Sequence, residues 1–405
     1  MTKVGKKAWI IIICAAGIST LNLGIRQSFG LFMKPISMDL ELGRQVLSLA
    51  LAIATLITGF ATPFFGALAD RYGTTKTLTL GVALYVGGLL LASMSQSAMS
   101  LHITFGVIFG VGLSATGFPV MFGAVARAVA PEKRSLAFGV VTSGGSFGQF
   151  LCIPFAQVLL TQYGWRAATV MLAMGALIML PLAFGLREKH VPAPAGTQSM
   201  GEALVEARGH SGYWLLNASF FVCGFHIAYV VTHLPAFFAD KGLAGNIAAQ
   251  AFALIGLFNI FGSQLFGWLG GRYSKRYLLT FIYTARSAIF IPLLLLPVTP
   301  TLALVFSAAL GFLWLGTVPP TSGLVAQIFG ARYLSTLFGI VFASHQVGGF
   351  LGAWLGGVLF DRYQSYDVMW MISIGLGIFA AIAALPIKDK TIVRPAPPDA
   401  AAKPA

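Results

Sequence analysis

Charged residues are scarce in this sequence: Asp, Glu, Lys and Arg together make up 9% of its 405 residues. A typical soluble domain carries about 25%. Hydrophobic residues account for 57% of the chain, so too few polar side chains remain to cover a water-exposed surface of this size. The deficit excludes a soluble enzyme, a disordered chain and a disulfide scaffold. It predicts a protein that crosses a membrane many times.

Cysteine is equally rare. The three cysteines, Cys14, Cys152 and Cys223, all lie in apolar runs and form no CxxC pair, so we predict no disulfide and no metal site. The Gly-rich stretch at 144–146 is followed by no Walker lysine, so we predict no ATP site and no cofactor. The net charge of +14 does not indicate nucleic-acid binding, because the basic residues fall at the ends of apolar segments.

Twelve apolar stretches are long enough to span a bilayer, which takes about 20 mostly apolar residues. They lie at 8–33, 45–69, 76–97, 100–127, 135–162, 166–186, 213–238, 247–270, 277–297, 301–328, 333–360 and 366–386. We therefore predict an all-α integral membrane protein whose twelve helices form a first half at 1–186 and a second half at 213–390. Residues 187–212 form a predicted cytoplasmic linker, and the Pro/Ala-rich residues 391–405 a disordered cytoplasmic tail.

The basic residues predict the orientation of these helices. If both termini are cytoplasmic, only Lys34, Arg44, Arg166, Lys241 and Arg362 fall on the outer side, and nearly all other Lys and Arg residues fall inside. Positive residues accumulate on the cytoplasmic loops of membrane proteins. We therefore predict a multi-pass protein of the cell membrane with both termini in the cytoplasm.

The two predicted halves are related to each other in sequence. A shift of 200 residues aligns FGVVTSGGSFGQF at 138–150 with FGIVFASHQVGGF at 338–350, and a shift of 201 aligns Gly66 with Gly267. The repeats have the same orientation in the membrane, because each contains six helices. Transporters built from such repeats bind substrate near the middle of the bilayer between the halves, which rock against each other.

The segment GALADRYGTTK at 66–76 resembles the loop between the second and third helices of the major facilitator superfamily. The resemblance implies the major facilitator fold, with Asp70 and Arg71 as gating residues. The Asp70 carboxylate can pair with a basic group or a helix amino terminus across the boundary between the halves. The second copy has Gly271 in place of the acid, so only one such latch is predicted. The alternative is that both residues only end a helix.

Within that superfamily the chain is similar to the monocarboxylate and oxalate–formate group. The patterns GIRQSFGLFMKPI at 24–36 and FNIFGSQLFGWL at 258–269 carry this resemblance. The basic residue of the group's eighth helix aligns with Ser263, and the preceding acid of the monocarboxylate branch aligns with Asn259. The lysine that oxalate–formate exchangers carry on helix 11 aligns with His345.

None of the 12 acidic residues falls in the middle of a predicted span. The ionisable residues within the spans are instead basic or imidazole: Arg26, Arg286, His226, His233 and His345. A charge at the bilayer centre costs at least ~2.5–3.5 kcal/mol, so such residues usually face a partner or an aqueous pathway. Because the spans supply no anion, the natural partner is an anionic substrate.

Arg26 is the first candidate to bind substrate, because a guanidinium holds a carboxylate through two parallel hydrogen bonds. The alternative is that its long side chain reaches the outer surface. The monocarboxylate branch carries a basic residue at the position of Gln27. Asn22, Gln27, Asn259 and Tyr229 are neutral candidates to line the same pocket, although each also suits ordinary helix packing.

Arg286, His345 and His226 are the remaining candidates. Arg286 either reaches the pocket or bonds backbone carbonyls within its own half. Histidine titrates near neutral pH and its cation binds carboxylate, so His345 and His226 are candidates for substrate binding and proton coupling. A histidine that only links helices by hydrogen bonds is the alternative for both.

These residues predict a secondary transporter of a small organic anion of the monocarboxylate type, working by alternating access as a proton-coupled symporter. It needs only its substrate, protons and the lipid bilayer, and functions as a monomer. An anion exchanger, a proton-driven exporter of drugs or other metabolites, and a sensor that binds ligand without flux are the alternatives. No nucleophile–base pair points to an enzyme.

Overall fold

The computed structural model describes residues 5–42, 44–187, 198–392 and 394, and these residues are helical almost throughout, with no β-strand among them. Most of the predicted tail and the middle of the predicted linker, residues 188–197, lie outside the described residues.

Long apolar helices dominate the described chain, and we number its membrane passes α1 to α12. Their bounds are α1 Lys6–Ser28, α2 Arg44–Tyr72, α3 Thr74–Ser93, α4 Ala98–Ala128, α5 131–163, α6 165–185, α7 Ser211–Asp240, α8 Gly245–Leu269, α9 Lys275–Leu295, α10 Pro300–Phe329, α11 Leu334–Tyr363 and α12 Asp367–Ala384.

In the described residues, 11 helices are long and apolar enough to cross a membrane. One of these helices contains two crossings. This helix, Pro131–Gly185, has 55 residues, and its backbone turns at Gly164, where φ is +74°. Glycine adopts this conformation without a steric penalty. The chain therefore passes twice here, as α5 and α6, and the predicted all-α fold of twelve membrane helices is confirmed.

One face of the molecule carries both ends of the described chain, and we call it the terminal side. There Arg394 contacts Glu206 of a linker helix, and Gly185 at the end of α6 packs against Cys14 near the start of α1. The linker helix, Met200–Gly209, begins at a capping box in which Ser199 and Glu202 bond each other's backbone nitrogens.

Both α4 and α10 are interrupted near the middle of the membrane. In α4 the helix ends at Ala115 and restarts at Phe118, and in α10 it ends at Leu313 and restarts at Val318. Pro119, Pro319 and Pro320 lie in the first turns after the breaks, where proline needs no hydrogen-bond donor. The breaks leave backbone groups free to bond side chains.

Two helix pairs cross between the halves, α2 with α11 and α5 with α8. Gly66 of α2 lies directly against the backbone oxygen of Ser335, and its repeat partner Gly267 of α8 lies against that of Ser135. An added Cβ on Gly267 would come within 2.8 Å of that oxygen. The repeated glycines therefore lie where the two halves touch, which explains why both repeats keep a residue without a side chain.

Candidate transport site

Asp70 of α2 joins the two halves on the terminal side. Its Oδ1 accepts a hydrogen bond of 3.0 Å from Nη1 of Arg127 in α4. Its Oδ2 accepts two hydrogen bonds of 2.8 Å, from the backbone nitrogen and the hydroxyl of Thr336 in the first turn of α11. The carboxylate side chain has no solvent exposure. It thus binds a cation of its own half and a helix amino terminus of the other.

Arg71, the second predicted gating residue, takes no part in this contact. Its side chain is exposed and lies over the ring of Tyr72 at 5.2 Å. The cation that meets Asp70 is Arg127, which the sequence analysis missed. The only signal in the sequence for a contact between Arg127 and Asp70 is that both lie near the ends of their helices, at the same depth.

A layer of aromatic rings closes the space between the halves next to this contact. Phe122 of α4 stacks on Phe138 of α5, with ring centroids 4.6 Å apart, and on Phe338 of α11, at 5.6 Å. Phe138 and Phe338 are equivalent positions of the repeat. Phe118 extends the stack at 5.4 Å from Phe122. These four buried rings, which we call the aromatic layer, form one continuous stack between the halves beside the Asp70 contact.

Arg26 and His345 belong to one polar cluster between the halves, beyond the aromatic layer. Nη2 of Arg26 donates to Oγ1 of Thr55 in α2, at 3.1 Å. The amide of Gln346 in α11 donates to the backbone oxygen of Thr55, at 3.4 Å. Nδ1 of His345 lies 3.1 Å from Oε1 of Gln346. Thr55 therefore connects an arginine of the first half with a histidine of the second, and we call these four residues the central cluster.

Aromatic side chains surround the imidazole of His345. The ring lies parallel to Phe342, with an interplanar angle of 6° and centroids 5.4 Å apart, and 4.8 Å from Phe220. His345 is nearly buried, whereas Arg26 and Gln27 are half-buried. Within the described chain the side chain of Gln27 makes no hydrogen bond, and it lies next to Arg26 on α1.

Asn22 is held by protein groups one turn before Arg26. Its Nδ2 donates to Oγ1 of Thr116 at 2.6 Å, and its backbone oxygen accepts from the hydroxyl of Tyr85 at 3.1 Å. Thr116 lies in the break of α4, so Asn22 stabilises that break. It borders the central cluster with its amide nitrogen already bonded.

Asn259 is fully buried where α8 meets α5. Its Nδ2 donates to Oγ of Ser146 at 2.7 Å, and its Oδ1 accepts from the backbone nitrogen of Leu315 at 3.0 Å. Ser263, one turn away, lies 2.8 Å from Ser143 between hydroxyl oxygens. Asn259 and Ser263 align with the acid and the base of the group that the sequence resembles. In this chain, neutral hydrogen bonds at both positions link the two halves.

Arg286 of α9 is fully buried in the second half. Its Nη2 donates to the backbone oxygens of Leu313 and Trp314, at 2.6 and 2.9 Å. These oxygens belong to the break of α10, where helical partners are missing. Of the two alternatives for Arg286, the structure shows the bonds to backbone carbonyls. Its Nη1 donates to Sγ of Cys223, at 3.7 Å.

His226 and Tyr229 of α7 also lie inside the second half rather than in the central cluster. Nε2 of His226 lies 2.8 Å from the backbone oxygen of Ser373 in α12, and its ring meets Phe290 edge-on at 5.1 Å. Tyr229 packs against Trp370, with centroids 4.8 Å apart. The predicted site residues therefore separate into a group between the halves and a group in the core of one half.

The chain is all-helical and brings Arg26 and His345 together between its two repeats, which is the arrangement of transporters built from such repeats. The family model of the Major Facilitator Superfamily matches residues 12–353. The chain belongs to this superfamily, and it is a transporter rather than an enzyme, as the sequence predicts.

The curated relatives fit this family. The chain is 25% identical to an uncharacterized transporter of the same superfamily, YcxA of Bacillus subtilis, over 94% of this chain and 96% of the relative. It is 24% identical to monocarboxylate transporter 13 of Bos taurus, over 91% and 86%. Among solved structures, the transporter FucP in its outward conformation matches with a TM-score of 0.76 and 15% identity, over 95% of this chain and all of that one.

Proposed function

We propose that the protein is a secondary transporter of a small organic anion of the monocarboxylate type, and that Arg26 binds the substrate carboxylate. Arg26 carries the argument. Its guanidinium has five donors, yet in the described chain it makes one hydrogen bond, to the neutral hydroxyl of Thr55. A half-buried cation at this depth needs an anion, and a carboxylate supplies both the charge and two parallel acceptors.

The relatives agree with this substrate class. Monocarboxylate transporters 11, 12 and 13 of several vertebrates are 24 to 25% identical to the chain over at least 82% of its length. At this identity the substrate of a relative supports the proposal without deciding it. The placement of Arg26 and His345 on opposite halves is the structural argument, because a substrate bound by both couples their movement.

The contacts between the halves support alternating access. The Asp70 contact and the aromatic layer close the terminal side, which we assign to the cytoplasm from the distribution of basic residues. The substrate then enters from the outer side and binds the central cluster. Opening toward the cytoplasm breaks the bonds of Asp70 to Thr336 and separates Phe338 from Phe122, so Asp70 acts as the gate.

Proton coupling falls to His345 in this proposal. A histidine side chain can bind and release a proton, and the cation of His345 adds a second positive charge for the carboxylate. His226 is sequestered between α7, α9 and α12, so its part in coupling is indirect. An anion exchanger needs no titration of His345 and is the main alternative.

Transport into proteoliposomes tests the proposal. The purified protein is reconstituted, and uptake of labelled lactate, pyruvate and oxalate is measured with and without an inward proton gradient. Accumulation driven by the gradient supports proton symport, and flux that requires an anion inside supports exchange. The absence of carboxylate flux under both conditions would refute the proposed substrate class.

An exporter of amphipathic compounds is the second candidate. The aromatic layer favours it, because Phe118, Phe122, Phe138 and Phe338 offer a continuous apolar surface to a bulky ligand. Such a transporter would bind cationic dyes, and an Arg26→Ala substitution would leave that binding unchanged. Competition between dye and carboxylate for one site would instead support the anion transporter.

A further inference from the structure

A second group of ionisable residues lies behind His345, in the core of the second half. Sγ of Cys223 accepts a hydrogen bond from Nη1 of Arg286 and lies 3.1 Å from Oγ1 of Thr317, which precedes the second segment of α10. His345 packs beside Cys223: its ring lies 4.8 Å from that of Phe220, one turn earlier on α7, and its backbone oxygen lies against Gly224. We call Cys223, Arg286, Thr317 and His345 the thiol cluster.

The charge of Arg286 is not balanced by any carboxylate in the described chain. A guanidinium stays protonated in proteins, and this one is 0% exposed. It forms no salt bridge to Asp or Glu; its polar contacts are two backbone oxygens and the thiol, and its Nε has no partner. A buried unpaired charge is costly, so a nearby group that can become an anion would be stabilised.

Two side chains around Arg286 can lose a proton to form an anion, Cys223 and Tyr283. A free thiol ionises at a lower pH than a phenol, at about 8.5 against about 10. Arg286 lies over the face of the Tyr283 ring, at 5.7 Å from its centroid, and directs an N–H at the sulfur of Cys223. His226, on the same helix as Cys223, is also titratable. Its imidazole is either neutral or positively charged, so it cannot balance the charge of Arg286. The thiol is therefore the group placed to carry the counter-charge.

We propose that Cys223 is a proton-carrying residue of this transporter: its thiolate balances Arg286, and its proton passes to and from His345. This inference rests on the proposed function. When Sγ gives up its proton, the imidazole of His345 accepts it, which leaves a thiolate beside the guanidinium and an imidazolium in the central cluster. The imidazolium releases that proton to water on the open side, and return of one proton by the same route restores the thiol. No electron is transferred.

This arrangement gives the chain what the middle of its predicted spans otherwise lacks, an anion that can be protonated. Thr317 donates to the thiolate and accepts from the thiol, so it accommodates both forms. Because the sulfur lies between Arg286 and His345, protonation at Cys223 is sensed at the substrate site through the charge on the imidazole.

Infrared difference spectra of the purified protein test the charge on Cys223 directly. The S–H stretching band of Cys223 is isolated by subtracting the spectrum of Cys223→Ser from that of the unmodified protein. Cys152→Ser is the matched control, since Cys152 is a buried thiol of α5 that packs beside Gly24. We expect Cys152 to show a full band between pH 5 and pH 8, and Cys223 to show little band at pH 7 and a growing one as the solution is acidified. A full Cys223 band that does not change with pH would overturn the proposal.

Transport by the same variants links this charge to coupling. A one-unit pH gradient can drive up to about tenfold accumulation, because tenfold corresponds to 1.4 kcal/mol. We expect Cys152→Ser to accumulate carboxylate to the same ratio as the unmodified protein, and Cys223→Ser to fall to a ratio of about one. Full accumulation by Cys223→Ser would also overturn the proposal.

The two measurements keep this inference separate from the proposed function. A thiolate in a protein that moves no carboxylate would refute the proposed substrate and retain the Cys223–Arg286 ion pair. Proton-driven carboxylate uptake by a protein whose Cys223 stays protonated would support the proposed function and refute the role of Cys223.

Discussion

Both oxygens of the Asp70 carboxylate are occupied, and Oδ2 accepts from the backbone nitrogen and the hydroxyl of Thr336, each at 2.8 Å. Thr336 belongs to the first turn of α11, where backbone nitrogens have no helical partner and the helix dipole favours an anion. One side chain of the first half thus satisfies the end of a helix in the second. We propose that the closed state of the terminal side depends on this contact.

Asp70→Asn tests that dependence. The amide has no charge, and one of its two terminal atoms is a donor that would face Arg127 or Thr336. Breaking a buried charge contact costs roughly 3–5 kcal/mol, so we expect the closed state to lose most of its preference. The loss of the closed state is measured by labelling a cysteine introduced at Phe122 with a membrane-impermeant thiol reagent that is added from the terminal side.

Asp39→Asn is the control, because Asp39 pairs with Arg166 in a partly exposed site and such pairs contribute about 0–1 kcal/mol. Equal labelling of both variants would contradict the assignment of Asp70 as the gate.

Arg26→Ala tests the anchor for the substrate. Hydrogen bonds to charged groups contribute about 1.5–3 kcal/mol each, so losing even one should lower carboxylate uptake by roughly tenfold to a hundredfold, with unchanged folding. Arg26→Lys keeps the charge but not the planar pair of donors and should fall between. Arg362→Ala removes an equal charge from an exposed position in the last turn of α11 and should transport normally. Near-normal uptake by Arg26→Ala would refute the anchor.

The repeated glycines give a matched pair of substitutions. Gly66→Ala and Gly267→Ala each place a Cβ against a backbone oxygen of the other half, so both should force the halves apart and weaken the closed state. Gly87→Ala in α3 meets nothing within 4 Å and should be neutral or stabilise its helix by about 0.5–1 kcal/mol. Thermal unfolding and the labelling assay report the two effects. A neutral Gly66→Ala would mean that the α2–α11 interface is looser than its contacts indicate.

The linker helix should become less protected at low pH. Hydrogen bonds from the Arg394 guanidinium, and a further one from Gln198, hold the pKa of Glu206 below its usual value, although partial burial opposes them. For a carboxylate with a lowered pKa, the stabilisation is present above its unfolded pKa of about 4.3 and is lost as the pH falls through the folded value. Hydrogen exchange of Met200–Gly209 measures this protection.

Arg394→Gln should weaken this pH dependence, because the hydrogen bond from Gln198 remains, and the loss at neutral pH should be small because the pair is partly exposed. Lys390→Gln removes an exposed charge of the same carboxy-terminal segment and should leave the exchange unchanged. An identical pH profile in Arg394→Gln would show that Glu206 is held by other groups.

Several features of the fold follow from local sequence. Apolar length determines the number of spans, because each stretch must cover the bilayer with its own backbone hydrogen bonds. The shift of 200 residues relates the halves, and the segment at 66–76 carries the family resemblance. The breaks of α4 and α10 lie beside Pro119, Pro319 and Pro320, because proline interrupts helical hydrogen bonding within one turn.

The partners of the polar residues were decided by tertiary structure. Which face of a helix meets which neighbour depends on its rotation and on the crossing angles of the bundle, and apolar spans carry little periodicity that reveals either. Arg26 and His345 therefore meet through Thr55 and Gln346, residues that look like ordinary packing positions in the sequence. Arg286 is also an arginine within a span, yet it bonds the break of α10, because α9 places it inside one half. The sequence by itself determined the spans, the repeat and the scarcity of acids; only the packing of the helices decided which cations face the path between the halves.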